Sequence, residues 1–169
     1  MKKFKTKTME IDHLKKELKR WKGLALIDDL TGLYNHRKLF KDIKRYSALN
    51  KRYGIKFIVM LIDIDDFKKI NDSKGHLFGD KILIKTADIL KKTVRHYEKV
   101  YRFYQGDEFV VIFSHTGNIE KAIDRIRKNL QEENINISVG YSRLCKDIFD
   151  VIDKKMYKQK QEHKKGGEI

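Results

Sequence analysis

Two acids follow a glycine at Gly106-Asp107-Glu108, and the run Phe109-Val110-Val111-Ile112-Phe113 follows the acids. Adjacent carboxylates beside a buried strand are costly unless a cation meets them, and a metal ion is the usual solution. A second acidic set, Asp63, Asp65 and Asp66, stands at the end of a nearly continuous apolar run from Ile55 to Ile62. If the two runs are neighbouring strands, Asp63, Asp107 and Glu108 converge. Three carboxylates at one point repel and raise at least one pKa unless a divalent ion lies between them. Oxygen donors without His or Cys suit Mg²⁺ or Mn²⁺. Mg²⁺ on one or two carboxylates completes its shell with phosphate and water. The competing reading is acids that cap turns. It is the stronger one for Asp63 alone, and the metal is the stronger one for the set.

Past Asp63 the chain turns into a helix near Asp65-Asp66-Phe67, whose N-terminal amides can receive phosphate. Lys68 lies one turn along and can pair with it. Asn71 and Asp80 flank Gly75-His76 and Gly79. An Asp carboxylate accepts from both N1 and the exocyclic amine of guanine, a donor pair that adenine lacks, and Asn71 adds a donor and an acceptor. Asp80 as a helix N-cap fits the same spacing.

The elements that must position these groups follow from periodicity. Ile11, Leu14, Leu18, Trp21 and Ala25 are spaced by threes and fours on a helix over 10–27. They form either a heptad seam or a face packed on the same domain. A turn-rich connector, with Asn35 or Asp28 as a cap, leads to a helix from His36 to Lys51 carrying Leu39, Phe40, Ile43, Tyr46 and Leu49. The 55–62 run predicts a strand buried on both faces. A short helix over 67–71 and a longer one over 77–94 come next. Val100 to Phe103 and Phe109 to Phe113 form a hairpin around the acidic turn. Ile119, Ala122, Ile123, Ile126 and Leu130 mark another helix. Ile135 to Tyr141 alternates as a strand with one wet face. A last helix carries Phe149, Ile152, Met156 and Tyr157, and the polar tail from His163 reads as loose. The fold class is α+β, a ferredoxin-like palm domain with a central mixed or antiparallel sheet flanked by helices. It spans 26–164, with residues 1–25 as a possible dimerisation stalk and 165–169 as a flexible tail.

Length and composition bound the rest. At 169 residues this is one domain with a short appendage. The net charge of +15 fits an anionic partner or a lysine-rich solvated surface. The lysines are scattered through every segment, which favours the surface, and no specific nucleic-acid motif stands out. Cys145 is the single cysteine, which excludes an internal disulfide and fits a reducing cytoplasm. Met1-Lys2-Lys3 begins like a signal peptide but no apolar stretch follows. No run approaches the ~18 apolar residues of a membrane span.

Several ordered segments together resemble the GGDEF family of diguanylate cyclases, over residues 26 to 164. Asp28-Asp29-Leu30-Thr31-Gly32-Leu33-Tyr34-Asn35-His36-Arg37 is similar to the family's opening D-x-L-T-x-L-x-N-R. Asp63-Ile64-Asp65-Asp66-Phe67-Lys68-Lys69-Ile70-Asn71-Asp72 resembles D-x-D-x-F-K-x-x-N-D, and Gly75-His76 with Gly79-Asp80 resembles G-H-x-x-G-D. Ser138-Val139-Gly140 and the helix from Asp153 to Lys160 resemble two later segments. The resemblance implies condensation of two GTP into cyclic di-GMP with release of pyrophosphate, in a homodimer whose subunits each hold one GTP. It implies that Asp63, the Ile64 carbonyl and Asp107 bind Mg²⁺ (or Mn²⁺), with Asp107 taking the 3′-hydroxyl proton and Glu108 supporting the site. Phe67, Asn71 and Asp80 would hold guanine, and Lys68, Lys160 and Lys164 the phosphates. Arg95 and Glu98 stand where the family has an R-x-x-D product-inhibition motif. An upstream sensor or downstream partner is implied as well. Gln105 replaces the first glycine of the signature, and Arg102 stands one residue further from it than the family's Arg. These departures leave a second expectation open: a weakly active receptor for GTP or cyclic di-GMP that regulates a partner.

Overall fold

A computed structural model describes residues 10–15, 17, 25–104, 106–114 and 117–166, with side chains as far as residue 161. The elements run α1 (His36–Tyr53), β1 (Ile58–Ile64), α2 (Phe67–Lys74), α3 (His76–Thr93), β2 (Lys99–Phe103), β3 (Glu108–Phe113), α4 (Ile119–Gln131), β4 (Ile137–Arg143) and α5 (Ile148–Gly166). The strands form one sheet in the order β2-β3-β1-β4. Every neighbouring pair is antiparallel. The ferredoxin-like order is the expected one, and the sheet is antiparallel rather than mixed.

β1 explains its own apolar run. Successive side chains of a strand point to opposite faces. Ile58, Met60, Ile62 and Ile64 enter a layer with Leu83, Ala87 and Leu90 of α3 and Ile123, Ile126 and Leu130 of α4. Val59 and Leu61 enter a second layer with Leu39 of α1 and Ile148, Ile152 and Met156 of α5. The strand starts at Ile58, later than the apolar run suggests, because Ile55 is exposed before it. It continues through Ile64, so Asp63 lies inside the strand rather than after it.

Two expectations at the C-terminal end are corrected. β4 has no wet face over Ile137–Gly140, because Ser138 and Gly140 are buried with their neighbours. Helix α5 closes on that face: a Cβ at Gly140 would lie 2.1 Å from the Ile152 carbonyl oxygen. Its side chains also bond the strand, with Val139 N donating to Gln159 Oε1 at 2.6 Å and Lys155 Nζ to the Tyr141 carbonyl at 3.1 Å. The helix runs to Gly166, beyond the point where a loose tail was expected.

At the other end, residues 10–15 and 17 are helical, but Ala25 and Leu26 form a turn, so the helix does not reach 27. Ile11 and Leu14 of the expected seam are exposed. Leu18 and Trp21 lie outside the described residues. The connector folds back on itself: Ile27 bridges Tyr34, Asp28 N donates to the Leu33 carbonyl, and Gly32 supplies a left-handed turn at φ 63°. Asn35 then caps α1 by accepting from Lys38 N.

Candidate active site

The register of the sheet brings the acids together. Asp63 of β1 is paired directly with Glu108 of β3 on one side and with Ser138 of β4 on the other. Directly opposed residues project to the same face, here the face covered by α5. Lys160 reaches down from that helix to Asp63, Nζ to Oδ1 at 2.6 Å. Asp107 ends the turn, and its carbonyl accepts from Ile64 N at 3.4 Å. Burial lifts the Asp63 carboxyl above its usual range, Asp107 and Asp65 add to the lift, and Lys160 offsets part of it. Burial also raises Glu108, to about 6, with the Asp63, Asp107 and Asp153 charges pushing the same way. Among the described residues Lys160 is the one cation paired with these carboxylates, which leaves them with excess negative charge.

That charge excess fits a divalent ion, and the donors are the hard oxygens that Mg²⁺ or Mn²⁺ takes. The set is not a closed protein cage: among the described residues no group of three or more His, Cys, Asp or Glu side chains is arranged to hold a metal. Two carboxylates with a backbone carbonyl would make an open donor set, one that phosphate and water complete.

The turn beside these acids is held from the connector. Arg102 donates from Nε and Nη2 to the Gly106 carbonyl at 3.2 and 3.1 Å. Its Nη1 reaches Asp28 Oδ1 at 3.1 Å. Asp28 accepts in turn from the amide and hydroxyl of Thr31. Tyr104 takes a left-handed φ of 52° between Arg102 and Gly106. The Arg102 guanidinium reaches the turn although it stands one residue further from it than the resemblance implies. The Tyr104 ring stacks on His36 at 5.0 Å. Gln105 lies outside the described residues.

Asn71 and Asp80 stand on successive helices, α2 and α3, that pack together through Gly79. A Cβ there would fall 1.9 Å from Asn71 Oδ1 and 3.2 Å from the Phe67 ring. The Asn71 Oδ1 atom is buried and has no hydrogen-bond partner among the described residues. A polar atom in that state is costly and suits a ligand that donates to it. Asp80 is half-buried within α3, four residues past its start, so it is not the N-cap, a position that Gly75 occupies.

Other sequence candidates are less closely drawn in. Lys68 is exposed on the first turn of α2, and among the described residues no carboxylate pairs with it. The side chain of Lys164 lies outside the described residues. Arg95 and Glu98 form a turn before β2, at the opposite end of the hairpin from Gly106. There Glu98 accepts from Arg95's own amide at 2.8 Å, and Arg95 Nη1 donates to Tyr97 Oη. The sequence reading missed two supports. Ser138 Oγ donates to Asp65 Oδ1 at 2.6 Å, which gives the serine of Ser138-Val139-Gly140 a function. Buried Asp42 accepts from Lys38, Lys99 and Tyr101, tying α1 to β2. An acid three residues after Leu39, on the apolar side of α1, was the available signal for it.

Fold and site together define a palm-type domain, with paired carboxylates at one end of an antiparallel sheet and a helix pair beside them. Residues 25–166 match the family model described as diguanylate cyclase, GGDEF domain. The chain belongs to the GGDEF domain family. It is 35% identical over 147 residues to the probable diguanylate cyclase DgcI of Escherichia coli (strain K12), covering 81% of this chain and 31% of that one. It is 39% identical over 108 residues to the diguanylate cyclase VdcA of Vibrio cholerae, covering 64% and 30%. The chain thus spans less than a third of the length of either relative. Among solved structures, the coiled coil and GGDEF domain of DgcB from Caulobacter crescentus, in complex with c-di-GMP, superposes with a TM-score of 0.80. That match covers 98% of this chain and 94% of the other, and at 21% identity it establishes the fold.

Proposed function

We propose that this domain is a diguanylate cyclase, which joins two GTP into cyclic di-GMP. The observation that carries the reading is Asp63 directly opposite Glu108 and beside Asp107, a carboxylate cluster at the signature turn of a GGDEF domain. The 3′-hydroxyl of one GTP attacks the α-phosphorus of the other. The O3′–P bond forms, the bond to the β-phosphate bridging oxygen breaks, and pyrophosphate leaves. A second such step closes the ring.

Asp107 takes the hydroxyl proton. Asp63, Asp107 and the Ile64 carbonyl would hold Mg²⁺ or Mn²⁺, which when bound offsets phosphate charge and favours the displacement. Glu108 adds charge beside that site. Lys160, already on Asp63, and Lys68 and Lys164 neutralise the phosphates. Asp80 and Asn71 read guanine, and Phe67 packs beneath it. Because each domain holds one GTP, the working unit is a homodimer, and the exposed Ile11 and Leu14 support pairing through the N-terminal helix. GTP and the lone cysteine favour a cytoplasmic setting. Among the described residues no helix is long and apolar enough to cross a membrane. An upstream sensor or partner protein would set the dimer geometry.

A second reading keeps the nucleotide and drops the turnover: a receptor for GTP or cyclic di-GMP. Gln105 and the extra residue at Tyr104 favour it. Arg95 and Glu98 are the candidate site for product, although Glu98 is engaged with its own turn. Incubation with GTP and Mg²⁺, with product identified by mass, separates the two readings. Cyclic di-GMP formation lost in Asp107→Ala supports the cyclase. Tight nucleotide binding without turnover, unchanged by Gln105→Gly, supports the receptor.

A further inference from the structure

Helix α1 presents a face unlike that of any other helix described. Arg37, Lys41, Lys44, Arg45, Lys51 and Arg52 are all exposed. At about 100° per residue they fall within an arc of about 120°, opposite Leu39, Asp42 and Tyr46. Asp42 is the sole acid of α1, and it is buried against Lys38, Lys99 and Tyr101. Its charge is therefore neutralised inside the fold, and every exposed charge on the outer face is cationic. The other long helices mix signs on their exposed faces: Asp88 on α3, Glu120 and Asp124 on α4, Asp150 and Asp153 on α5.

The C-terminal end of α1 adds an apolar pair. Tyr53 is 61% and Ile55 42% exposed. Gly54 closes the helix in a left-handed conformation at φ 67°, and Asn50 Nδ2 donates to the Ile55 carbonyl at 2.8 Å. The pair is thus held in place, flanked by Lys51, Arg52 and exposed Lys56. The turn lies at the Ile58 end of β1, about 17 Å along the strand from Asp63.

We propose that α1 is a docking surface for a bilayer containing anionic phospholipid. The cations form a band along about 22 Å of the helix, which matches a plane of negative headgroups. Tyr53 and Ile55 supply the shallow apolar contact that holds an amphipathic surface at the interface. A nucleic-acid groove fits less well, because α1 is backed along its length by the domain through Leu39, Ile43, Tyr46 and Leu49.

The test is cosedimentation of the full chain with phosphatidylcholine vesicles, with and without phosphatidylglycerol. Binding is expected only with phosphatidylglycerol and is expected to weaken steeply with salt. The triple variant Lys41→Glu, Lys44→Glu, Arg45→Glu should weaken it by roughly a hundredfold. Tyr53→Ser with Ile55→Ser should weaken it several-fold even at high salt. The control is Lys121→Glu, Arg125→Glu, Lys128→Glu on α4, which makes the same change in net charge and should leave binding nearly intact. Equal losses from the two triples would assign binding to overall charge and overturn the proposal. So would absent vesicle binding, or capture of polyuridylate RNA that vesicles do not compete. GTP turnover by the α1 triple in solution is expected to be unchanged, so this outcome is independent of the cyclase reading.

Discussion

Arg102 and Asp28, 74 residues apart in the chain, are joined by a 3.1 Å ion pair that locks the connector before α1 to the acidic turn. The same guanidinium holds the Gly106 carbonyl, so the position of Asp107 depends on a residue far upstream.

Both side chains of this pair are largely shielded, so removing one charge leaves the other without its partner. Asp28→Ala should cost about 3 kcal/mol in urea unfolding. Arg102→Lys retains the charge but not the fork of donors. It should lower turnover by more than tenfold on the scale of a misplaced catalytic group, with a smaller loss of stability. Burial alone would raise Asp28, but Thr31 and Arg102 together hold it below its ordinary value of 3.8. The contribution of this lock is therefore full above that value and is lost as pH falls through the lower, folded pKa.

Glu108 has the opposite sign. Its carboxyl is raised from 4.5 to about 6, so the folded state binds its proton more tightly than the unfolded chain does. Its contribution is present below pH 4.5 and is lost as pH rises through 6. Glu108→Gln should raise the melting temperature at neutral pH, and the gain should vanish under acid. Mg²⁺ should raise the melting temperature of the unaltered protein at neutral pH and do so less in Glu108→Gln. A pH-independent difference between the two proteins would contradict the mutual repulsion described above.

Gly79 is the contact through which Asn71 is placed. Gly79→Ala would put a methyl group on Asn71 Oδ1, displacing the amide. The expected result is GTP affinity lowered by roughly tenfold to a hundredfold, with less effect on ATP, since a guanine donor loses its acceptor. Asp80→Asn should act in the same direction. Equal weakening of GTP and ATP in both variants would remove these residues from base recognition.

Gly140→Ala meets backbone rather than a mobile side chain, at the Ile152 carbonyl. Helix α5 must shift, and with it Lys160. Overpacking of this kind costs about 1–3 kcal/mol, which chemical denaturation would register. An unchanged midpoint would contradict the close seating of α5 on β4.

Much of this was legible in the chain. The unbroken run Ile58–Ile62 announced a strand between two layers, and Gly106 between apolar runs announced the hairpin. Convergence of Asp63 with Asp107 and Glu108 was expected from neighbouring strands, but the register that sets Asp63 opposite Glu108 came from the structure. The alternation from Ile135 to Tyr141 misled, because Ser138 and Gly140 look like a wet face. Ser138 is instead bonded to Asp65, and Gly140 is small because a helix lies on it. The lock between Asp28 and Arg102 depends on a long-range contact, and local periodicity carries no information about such pairs. The extra hairpin residue was visible, but not its resolution. Tyr104 is left-handed between Arg102 and Gly106, and Arg102 holds the Gly106 carbonyl.

The central claim is tested most directly by GTP turnover with Mg²⁺ across a range of protein concentrations. The cyclase reading predicts cyclic di-GMP and pyrophosphate in a 1:2 ratio, by the stoichiometry of joining two GTP. It also predicts a rate that rises faster than linearly with protein, and none in Asp107→Ala. GTP bound but unconverted at every concentration would contradict it.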